Sequence, residues 1–345
     1  MSEQISNICA VDDGNRNIKL VYKGIKLCIP SRVQVGPLSI LSIGGGETEN
    51  REYTIKGKNG DEDSVFSVGP DLESSVHVAS DDYYLSDYNR VLVYHTLKKA
   101  GITGNINLFT GLPVKNYYSG RGGVINSALV KSKDESLRKN NVFSSSKGVL
   151  GEMGFKIVSS ETLAEAISSW MDIVIESKDD GSLSFNSDLI SKRIAIVDIG
   201  GRTTDITVIK EFNIDLNRST TVDYGMLKIR DNLKDIFLER YEREFSIPLL
   251  DRAIETGVVE NYGDVDDVSE DIFNLRESAA KVLLSEIKRV LGSGADLYKI
   301  VFVGGGSIDL YDRFLKSAYV KNGMLADDPL FTNASGMYKF GVQSL

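Results

Sequence analysis

The sequence has 345 residues, of which 41% are hydrophobic and 26% charged, and this balance is typical of a folded globular protein with about two domains. The net charge of −9 argues against direct binding to nucleic acid, because the phosphate backbone would repel the protein. The chain shows neither a secretory signal nor an apolar run near the ~20 residues that cross a membrane, so we expect a cytoplasmic protein without a membrane partner.

The first half of the chain begins with strands and continues with alternating helices and strands. Glycines separate short alternating stretches between residues 38 and 79, which is typical of a small inserted antiparallel sheet. Thr162 and Glu165 have the spacing of a capping box. The predicted elements are strands over 8–23 and 25–34, helix 87–99, strand 106–114, strand 154–158 and helix 162–175.

The second half repeats this plan after a polar crossing segment, 177–192. Its predicted elements are a hairpin over 194–210, a strand near 213–223, helix 226–243, a long amphipathic helix over about 267–291, strand 298–306 and helix 308–318. Strands that alternate with helices of this length predict an α/β fold built from two similar halves.

One sequence motif occurs twice. Residues 8–20 read ICAVDDGNRNIKL and residues 194–206 read IAIVDIGGRTTDI, so that Asp12 aligns with Asp198 and Gly14 with Gly200. In both copies a buried strand ends in Asp-x-Gly, where glycine permits close approach of a ligand and the turn amides converge on an anion. Each copy alone could be an ordinary Asp-Gly turn. Together they predict two hairpins that grip a nucleoside triphosphate.

A third glycine turn, Gly304 to Ser307, follows a β-branched strand and precedes a helix. Three glycines would let a base or sugar approach the backbone, although close packing of a strand on a helix requires the same residues. The turn lacks the Gly-Lys-Ser/Thr of a Walker motif.

These motifs resemble the actin, sugar-kinase and heat-shock ATPase superfamily, and within it most closely the ParM/StbA family of plasmid-segregating bacterial actin-like ATPases. The matching segments are DDGNRNIKL, FTGLPVKNYY (109–118), VDIGGRTTDI, VDYGMLKI (222–229), VGGGS and DPLFTNASGMYKFG (328–341). The resemblance implies an α/β, actin-like (ribonuclease H-like) duplicated two-domain fold with a nucleotide cleft between the domains. Domain I would comprise residues 1–190, with an insert at about 38–80 and the C-terminal segment 325–345, and domain II residues 191–324.

The resemblance also implies roles for individual residues. Asp12 and Asp198 would hold Mg²⁺ through water, and Asp198 and Glu161 would be catalytic, with Glu161 activating water at the start of the helix that follows the last strand of the first half. An acid at a helix start also stabilises the helix dipole without catalysis. Asp205 would orient a second water or Lys19, which holds the corresponding position in the other hairpin. The residues implied in nucleotide binding are Asp12, Asp13, Gly14, Asn15, Arg16, Asn17, Lys19, Gly200, Gly201, Arg202, Thr203, Gly225, Gly304, Gly305, Gly306 and Ser307.

The function that the resemblance implies is an ATPase, with GTP as an alternative substrate, that assembles into helical filaments. Such filaments would segregate plasmid DNA through a DNA-binding adaptor protein on a plasmid centromere, which agrees with the acidic composition. A small-molecule kinase of the same superfamily remains the alternative, since it would share the phosphate hairpins.

Overall fold

The computed structural model of the chain describes residues 7–38, 51–57, 62–72, 82–119, 123–146, 149–178 and 181–344. The strands up to residue 178 are β1 (Ile8–Asp13), β2 (Asn17–Tyr22), β3 (Ile25–Pro30), β4 (Val33–Val35), β5 (Glu52–Ile55), β6 (Ser64–Val68), β7 (Gly104–Leu112), β8 (Tyr118–Ser119), β9 (Val124–Ile125), β10 (Val142–Ser146), β11 (Val149–Gly151), β12 (Phe155–Ala164) and β13 (Ile175–Ser177). The helices of this part are α1 (Asp87–Lys99), α2 (Val114–Tyr117), α3 (Ser127–Leu137) and α4 (Glu165–Val174).

The remaining strands are β14 (Leu183–Phe185), β15 (Ile194–Ile199), β16 (Thr204–Lys210), β17 (Asn213–Ile214), β18 (Thr220–Val222), β19 (Val258–Asn261), β20 (Asp264–Asp267), β21 (Lys299–Val303) and β22 (Gly323–Leu325). The remaining helices are α5 (Ser187–Ser191), α6 (Leu227–Tyr241), α7 (Ile247–Thr256), α8 (Ser269–Leu291), α9 (Gly305–Leu310) and α10 (Thr332–Ser344). No helix of the described ranges combines the length and apolar character that a membrane crossing requires.

The chain divides into two compact units, one of residues 1–110 and 127–162 and the other of residues 111–126 and 163–345. Helix α4 belongs to the second unit because it packs against α10 and contacts β15 and β16. The domains predicted from the sequence, 1–190 and 191–324, divide the chain elsewhere and stay a prediction.

The first unit contains two sheets. One has the order β12-β7-β1-β2-β3, in which β1 runs antiparallel to β2 and parallel to β7. The other has the order β11-β10-β5-β6-β4, and its pairs β10–β11, β10–β5, β5–β6 and β4–β6 are antiparallel. The predicted small antiparallel sheet is therefore present, and β10 and β11, which the sequence did not predict, extend it. Gly44 to Gly46 lie outside the described residues.

The second unit contains a sheet with the order β17-β16-β15-β21-β22, and β18 also pairs with β16. Strand β15 is antiparallel to β16 and parallel to β21. The predicted amphipathic stripe of α8 is confirmed, because Ile272, Ala279, Leu283 and Ile287 are all buried in the core of this unit. Apolar residues spaced at the period of an α-helix therefore pack into this core, as their spacing predicts.

Several predicted boundaries are confirmed within a few residues, but the capping box predicted at the start of the helix over 162–175 is wrong. Helix α1 covers the predicted span 87–99, with Ser86 as its N-cap. By contrast, β12 continues to Ala164, so the helix predicted over 162–175 begins only at Glu165 and has no side-chain cap. The capping box is absent because Thr162 lies within the strand and its hydroxyl bonds to Asp134.

Two further predictions differ from the structure in detail. The strand predicted near 213–223 is two short strands, β17 and β18, separated by a 3₁₀ turn. The helix predicted over 308–318 begins earlier, at Gly305, and ends at Leu310, after which a π-helical and a 3₁₀ turn follow.

Candidate nucleotide-binding site

The first phosphate hairpin, residues 8–22, belongs to the first unit. Its strand register pairs two of the residues that were predicted to bind the nucleotide. Asp12 at the end of β1 lies opposite Lys19 on β2. The Lys19 ammonium lies 3.0 Å from Asp12 Oδ2, and both side chains are largely buried. Lys19 is therefore held beside the turn as a cation that a phosphate could share with Asp12.

The turn of this hairpin is narrow. The Ser31 hydroxyl donates to the Gly14 carbonyl at 2.6 Å, and the Ser31 amide donates to the Arg16 carbonyl at 2.9 Å. A Cβ at Gly14 would lie 3.0 Å from the carbonyl oxygen of Asn17 and 3.3 Å from Lys19 Nζ. A side chain at Gly14 would therefore crowd its neighbours, and the half-buried turn from Gly14 to Asn17 stays accessible to a ligand.

Asp13 has a different environment from the one predicted. Its carboxylate has no exposed surface and lies 2.8 Å from the ammonium of Lys133, while Asn89 donates to it at 2.5 Å. Because the side chain points into the unit, Asp13 can affect a bound phosphate only through the backbone of the hairpin.

The second phosphate hairpin, residues 194–210, belongs to the second unit and has the same register. Asp198 at the end of β15 lies opposite Asp205 on β16, as Asp12 lies opposite Lys19. The Gly200 amide donates to the Thr203 carbonyl at 2.9 Å and closes the turn. The predicted duplication of the hairpin is therefore confirmed at the level of paired residues.

The start of α6 supports this second turn from behind. The amides of Met226 and Leu227 donate to the carbonyls of Gly200 and Gly201 at 3.0 and 2.8 Å. A Cβ at Gly225 would lie 2.5 Å from the Gly201 carbonyl oxygen. The role that the structure gives Gly225 is thus close approach to the turn, which leaves Gly200, Gly201, Arg202 and Thr203 half-buried.

Asp198 is oriented by the C-terminal helix. Asn333 on α10 donates to Asp198 Oδ2 at 2.7 Å, and the Ser169 hydroxyl on α4 donates to Asn333 Oδ1 at 2.6 Å. The sequence matched the segment around Asn333 to the C-terminal motif of a family but assigned this residue no role. The signal in the sequence was the motif itself. It does not reveal a contact between residues that lie more than a hundred positions apart, which only a structure shows.

The third glycine turn packs directly on the second hairpin. Gly304 has φ +83°, and a Cβ there would collide with Asp198 Oδ1 and lie 2.6 Å from the Ile199 carbonyl oxygen. A Cβ at Gly306 would collide with the Ile199 side chain, whereas Gly305 meets nothing nearer than 3.5 Å. Gly304 and Gly306 therefore serve packing, whereas Gly305 leaves open backbone, and the part of this turn in nucleotide binding stays a prediction.

Ser307 does not present its hydroxyl to a ligand. The side chain is buried, and the hydroxyl donates to the Val303 carbonyl at 2.5 Å. The Ser307 amide donates to the Gly304 carbonyl at 3.2 Å, which closes the turn. Its predicted part in nucleotide binding is accordingly limited to shaping the turn.

Asp205 is a buried carboxyl group of the second hairpin with a strongly raised pKa. Burial raises its pKa to about 7, and the charge of Asp198 acts in the same direction. Hydrogen bonds from the Thr221 hydroxyl and the Val114 amide lower the pKa and only partly compensate. This carboxyl therefore changes its charge near neutral pH, beside a residue predicted to hold a metal.

Two acids compete for the water-activating role. Glu161, the predicted residue, lies within β12 and not at a helix start, and burial together with the charge of Asp134 raises its pKa. The acid in the first turn of α4 is Glu165, which is nearly fully buried and lies where a Cβ at Gly111 would collide with it. The helix-start position specified by the resemblance thus falls on Glu165, whereas Glu161 keeps the position at the end of a strand.

The two residues predicted to hold Mg²⁺ are carboxylates, one in each unit. Asp12 and Asp198 each supply carboxylate oxygens, the donors that Mg²⁺ prefers, at the strand end of a phosphate hairpin. Each carboxylate is oriented by a nitrogen donor, Lys19 or Asn333. Within the described ranges no group of three or more His, Cys, Asp and Glu side chains is placed to hold a metal.

Comparison with known proteins assigns the chain to a family. Residues 10–139 match the model of the N-terminal domain of actin-like proteins, and residues 196–316 match that of the C-terminal part of archaeal MreB-like actin homologues. The two matches together cover more than two thirds of the chain. No curated protein matches the sequence.

Solved structures share the fold over almost the whole length. A 15-stranded ParM filament from Clostridium botulinum superposes with a TM-score of 0.77 at 20% identity, covering 98% of this chain and 99% of that one. The archaeal actin homologue Ta0583 in complex with ADP superposes with a TM-score of 0.72 at 17% identity, covering 98% and 100%. With its duplicated phosphate hairpins and the glycine turn packed on the second of them, the chain belongs to the actin-like proteins and has the two-domain actin-like fold of the ParM type.

Proposed function

We propose that this protein is an ATPase that polymerises into nucleotide-dependent filaments and so segregates plasmid DNA through an adaptor protein. The observation that carries the proposal is the common register of the two hairpins, each with a strand-end aspartate beside a glycine turn. Both hairpins are proposed to take part in binding the same nucleotide.

The chain supplies the groups that phosphoryl transfer requires. Turn amides of both hairpins would donate to the phosphates, and Lys19 would neutralise charge beside Asp12. Asp12 and Asp198 would hold Mg²⁺ through water, and the ion would supply charge neutralisation at the phosphates. Since little covalent chemistry is needed, positioning of a water molecule by an acid would complete the machinery.

The water-positioning acid is proposed to be Glu161, with Glu165 as the rival. Glu161→Gln and Glu165→Gln keep size and hydrogen bonding but remove the charge, so they separate the two roles. We expect the substitution at the true position to slow phosphate release by about 100-fold or more, within the range for loss of a positioned acid or base, and the other to leave it much less affected. Phosphate release during ATP turnover measures both variants.

Filament formation rests on the likeness to ParM structures and on the family assignment. A heterologous contact between identical subunits that does not close on itself produces an open helical polymer. An adaptor would provide the link to DNA, because a protein with a net charge of −9 would be repelled by phosphates. A cytoplasmic location and ATP rather than GTP are part of the same proposal.

High-speed pelleting tests the proposal directly. Purified protein is sedimented with ATP, with ADP and without nucleotide, and the same is done for Asp12→Ala and Asp198→Ala. We expect pelleting with ATP that either substitution abolishes. Asp312→Ala is the matched control, because Asp312 is an exposed aspartate in a surface ion pair with Lys316.

Two outcomes would contradict the filament proposal. The wild-type protein could remain in the supernatant with ATP at every salt and magnesium concentration. Alternatively, ATP consumption that a metabolite stimulates, without a sedimentable polymer, would favour a small-molecule kinase. Nucleotide binding that survives both Asp12→Ala and Asp198→Ala would place the nucleotide elsewhere.

A further inference from the structure

Helix α3 lies in a part of the chain to which the sequence assigned no role, yet two consecutive residues reach both functional strands of the first unit. Lys133 contacts the end of β1, at the first phosphate hairpin. Asp134 contacts the segment of β12 that carries Glu161. The two contacts differ in kind and are considered in turn.

Lys133 forms a fully buried ion pair. Its ammonium lies 2.9 Å from Asp13 Oδ1 and 2.8 Å from Asp13 Oδ2, and neither side chain has exposed surface. Asn89 on α1 donates to the same carboxylate, and the ammonium lies 4.8 Å from the centre of the Tyr84 ring. Asp13 directly precedes Gly14, so this group of contacts fixes the residue from which the phosphate turn begins.

The burial of this pair indicates more than stability. A buried ion pair loses about as much in desolvation as it gains in attraction, and well-packed apolar side chains of similar size often stabilise a fold at least as well. A charged pair does, however, fix the orientation of the two side chains, since the Lys133 ammonium must contact both carboxylate oxygens of Asp13. Its contribution is therefore the position of the strand end relative to the helix.

Asp134 holds the other strand. Its Oδ1 accepts hydrogen bonds from the Thr162 hydroxyl at 2.7 Å and the Ser160 hydroxyl at 3.1 Å. Because side chains alternate along a strand, Ser160 and Thr162 share one face and Glu161 projects to the other. Asp134 thus holds β12 on both sides of Glu161 without occupying the side on which Glu161 would act.

Helix α3 is itself fixed to α1, so the contacts of Lys133 and Asp134 start from the same rigid element. Arg90 on α1 donates to the Ser136 hydroxyl at 2.7 Å, and the Tyr94 hydroxyl donates to the Leu137 carbonyl at 2.9 Å. The C-terminal half of α3 is therefore fixed to α1 by buried polar contacts. Displacement of this end of α3 relative to α1 would require these bonds to break.

We propose that Lys133 and Asp134 are positioning residues for nucleotide hydrolysis, Lys133 for the first phosphate turn through Asp13 and Asp134 for Glu161 through Ser160 and Thr162. The proposal rests on the proposed ATPase function. It predicts separate kinetic effects, because the phosphate turn binds the nucleotide whereas Glu161 acts on the reacting water.

The test measures kcat and KM for ATP together with the thermal midpoint of each variant. Lys133→Met is expected to raise KM about tenfold, since a displacement of an ångström in a positioning group has effects of this size or larger. Lys131→Met is the matched control, because Lys131 lies on the same helix, two residues away, with an exposed side chain. The double variant Asp13→Asn/Lys133→Met removes both charges and keeps the test valid where the single variant does not fold.

Asp134→Ala removes the acceptor for both hydroxyls, whereas Asp134→Asn keeps one oxygen in place. We expect Asp134→Ala to lower kcat about tenfold with little change in KM, and Asp134→Asn to recover a large part of that loss. A purely structural role would instead lower the thermal midpoint of both without this split.

Each part of the proposal can fail on its own. A folded double variant with the KM of the wild type would overturn the role of Lys133, and a folded Asp134→Ala variant with the kcat of the wild type would overturn that of Asp134. If the wild type and Lys131→Met do not hydrolyse ATP at all, it is the proposed function that fails.

Discussion

Asp205→Asn provides a sharp test of the electrostatics at the second hairpin. The wild-type carboxyl is fully buried, and its pKa is raised from 3.8 to about 7, mainly by burial. Asparagine has nearly the same shape and retains an oxygen that can accept from the Thr221 hydroxyl. The substitution therefore removes the ionisable group while leaving the packing in place.

The sign and size of the effect follow from proton linkage. Below pH 4 the carboxyl is protonated in both the folded and the unfolded chain, so it contributes no pH dependence. Between about pH 4 and pH 7 the unfolded chain loses this proton while the folded chain keeps it, so the stability of the wild type falls as pH rises. At about 1.4 kcal/mol per pH unit, the interval gives a penalty of up to about 4 kcal/mol at pH 7.5 and above.

Urea unfolding at pH 4.5 and pH 8 measures this difference. We expect Asp205→Asn to be more stable than the wild type by up to about 4 kcal/mol at pH 8, and by only about 1 kcal/mol at pH 4.5. The exposed Asp312→Asn serves as the control for general effects of charge. If the stability difference between Asp205→Asn and the wild type is the same at both pH values, Asp205 does not titrate as described and the reasoning is refuted.

Four further substitutions, which make up three predictions, test buried contacts within the two units. Lys133→Met leaves the carboxylate of Asp13 buried without its cation and should cost about 3–5 kcal/mol in the free energy of unfolding, measured by urea denaturation; a loss below 1 kcal/mol would contradict the burial of the pair. Gly304→Ala places a methyl group at positive φ against a carboxylate and should cost about 1–3 kcal/mol in the free energy of unfolding. Gly305→Ala meets only ordinary contacts and should cost much less. Equal losses for the two variants would show that the turn relaxes. Gly336→Ala drives a methyl group into the backbone of α4 and should separate α10 from it, which faster proteolysis of the C-terminal helix would report and unchanged protection would contradict.

The duplicated hairpins were predictable because their information is local. A buried strand, an Asp-x-Gly turn and a returning strand lie within thirteen residues, and the structure pairs Asp12 with Lys19 and Asp198 with Asp205 accordingly. The amphipathic helix α8 was predictable for the same reason, since its apolar period alone defines the buried face.

The remaining features depend on contacts between distant residues. Thr162 and Glu165 have the spacing of a capping box, but Thr162 finds partners in Asp134 and Thr110, so the strand continues and the helix starts later. No local pattern distinguishes a threonine that caps a helix from one that bonds to another element. For the same reason, the hydrogen-bond and ion-pair partners of Asp13 and Asn333 could not be predicted from the sequence.

The position opposite the strand-end aspartate carries a lysine in the first hairpin and an acid in the second. In the first hairpin the opposite charges of Asp12 and Lys19 balance each other. In the second hairpin two acids lie opposite each other, and the raised pKa of Asp205 lets this half exchange a proton near neutral pH. Exchanging Lys19 and Asp205 between the two hairpins would show whether each half depends on its own charge at this position.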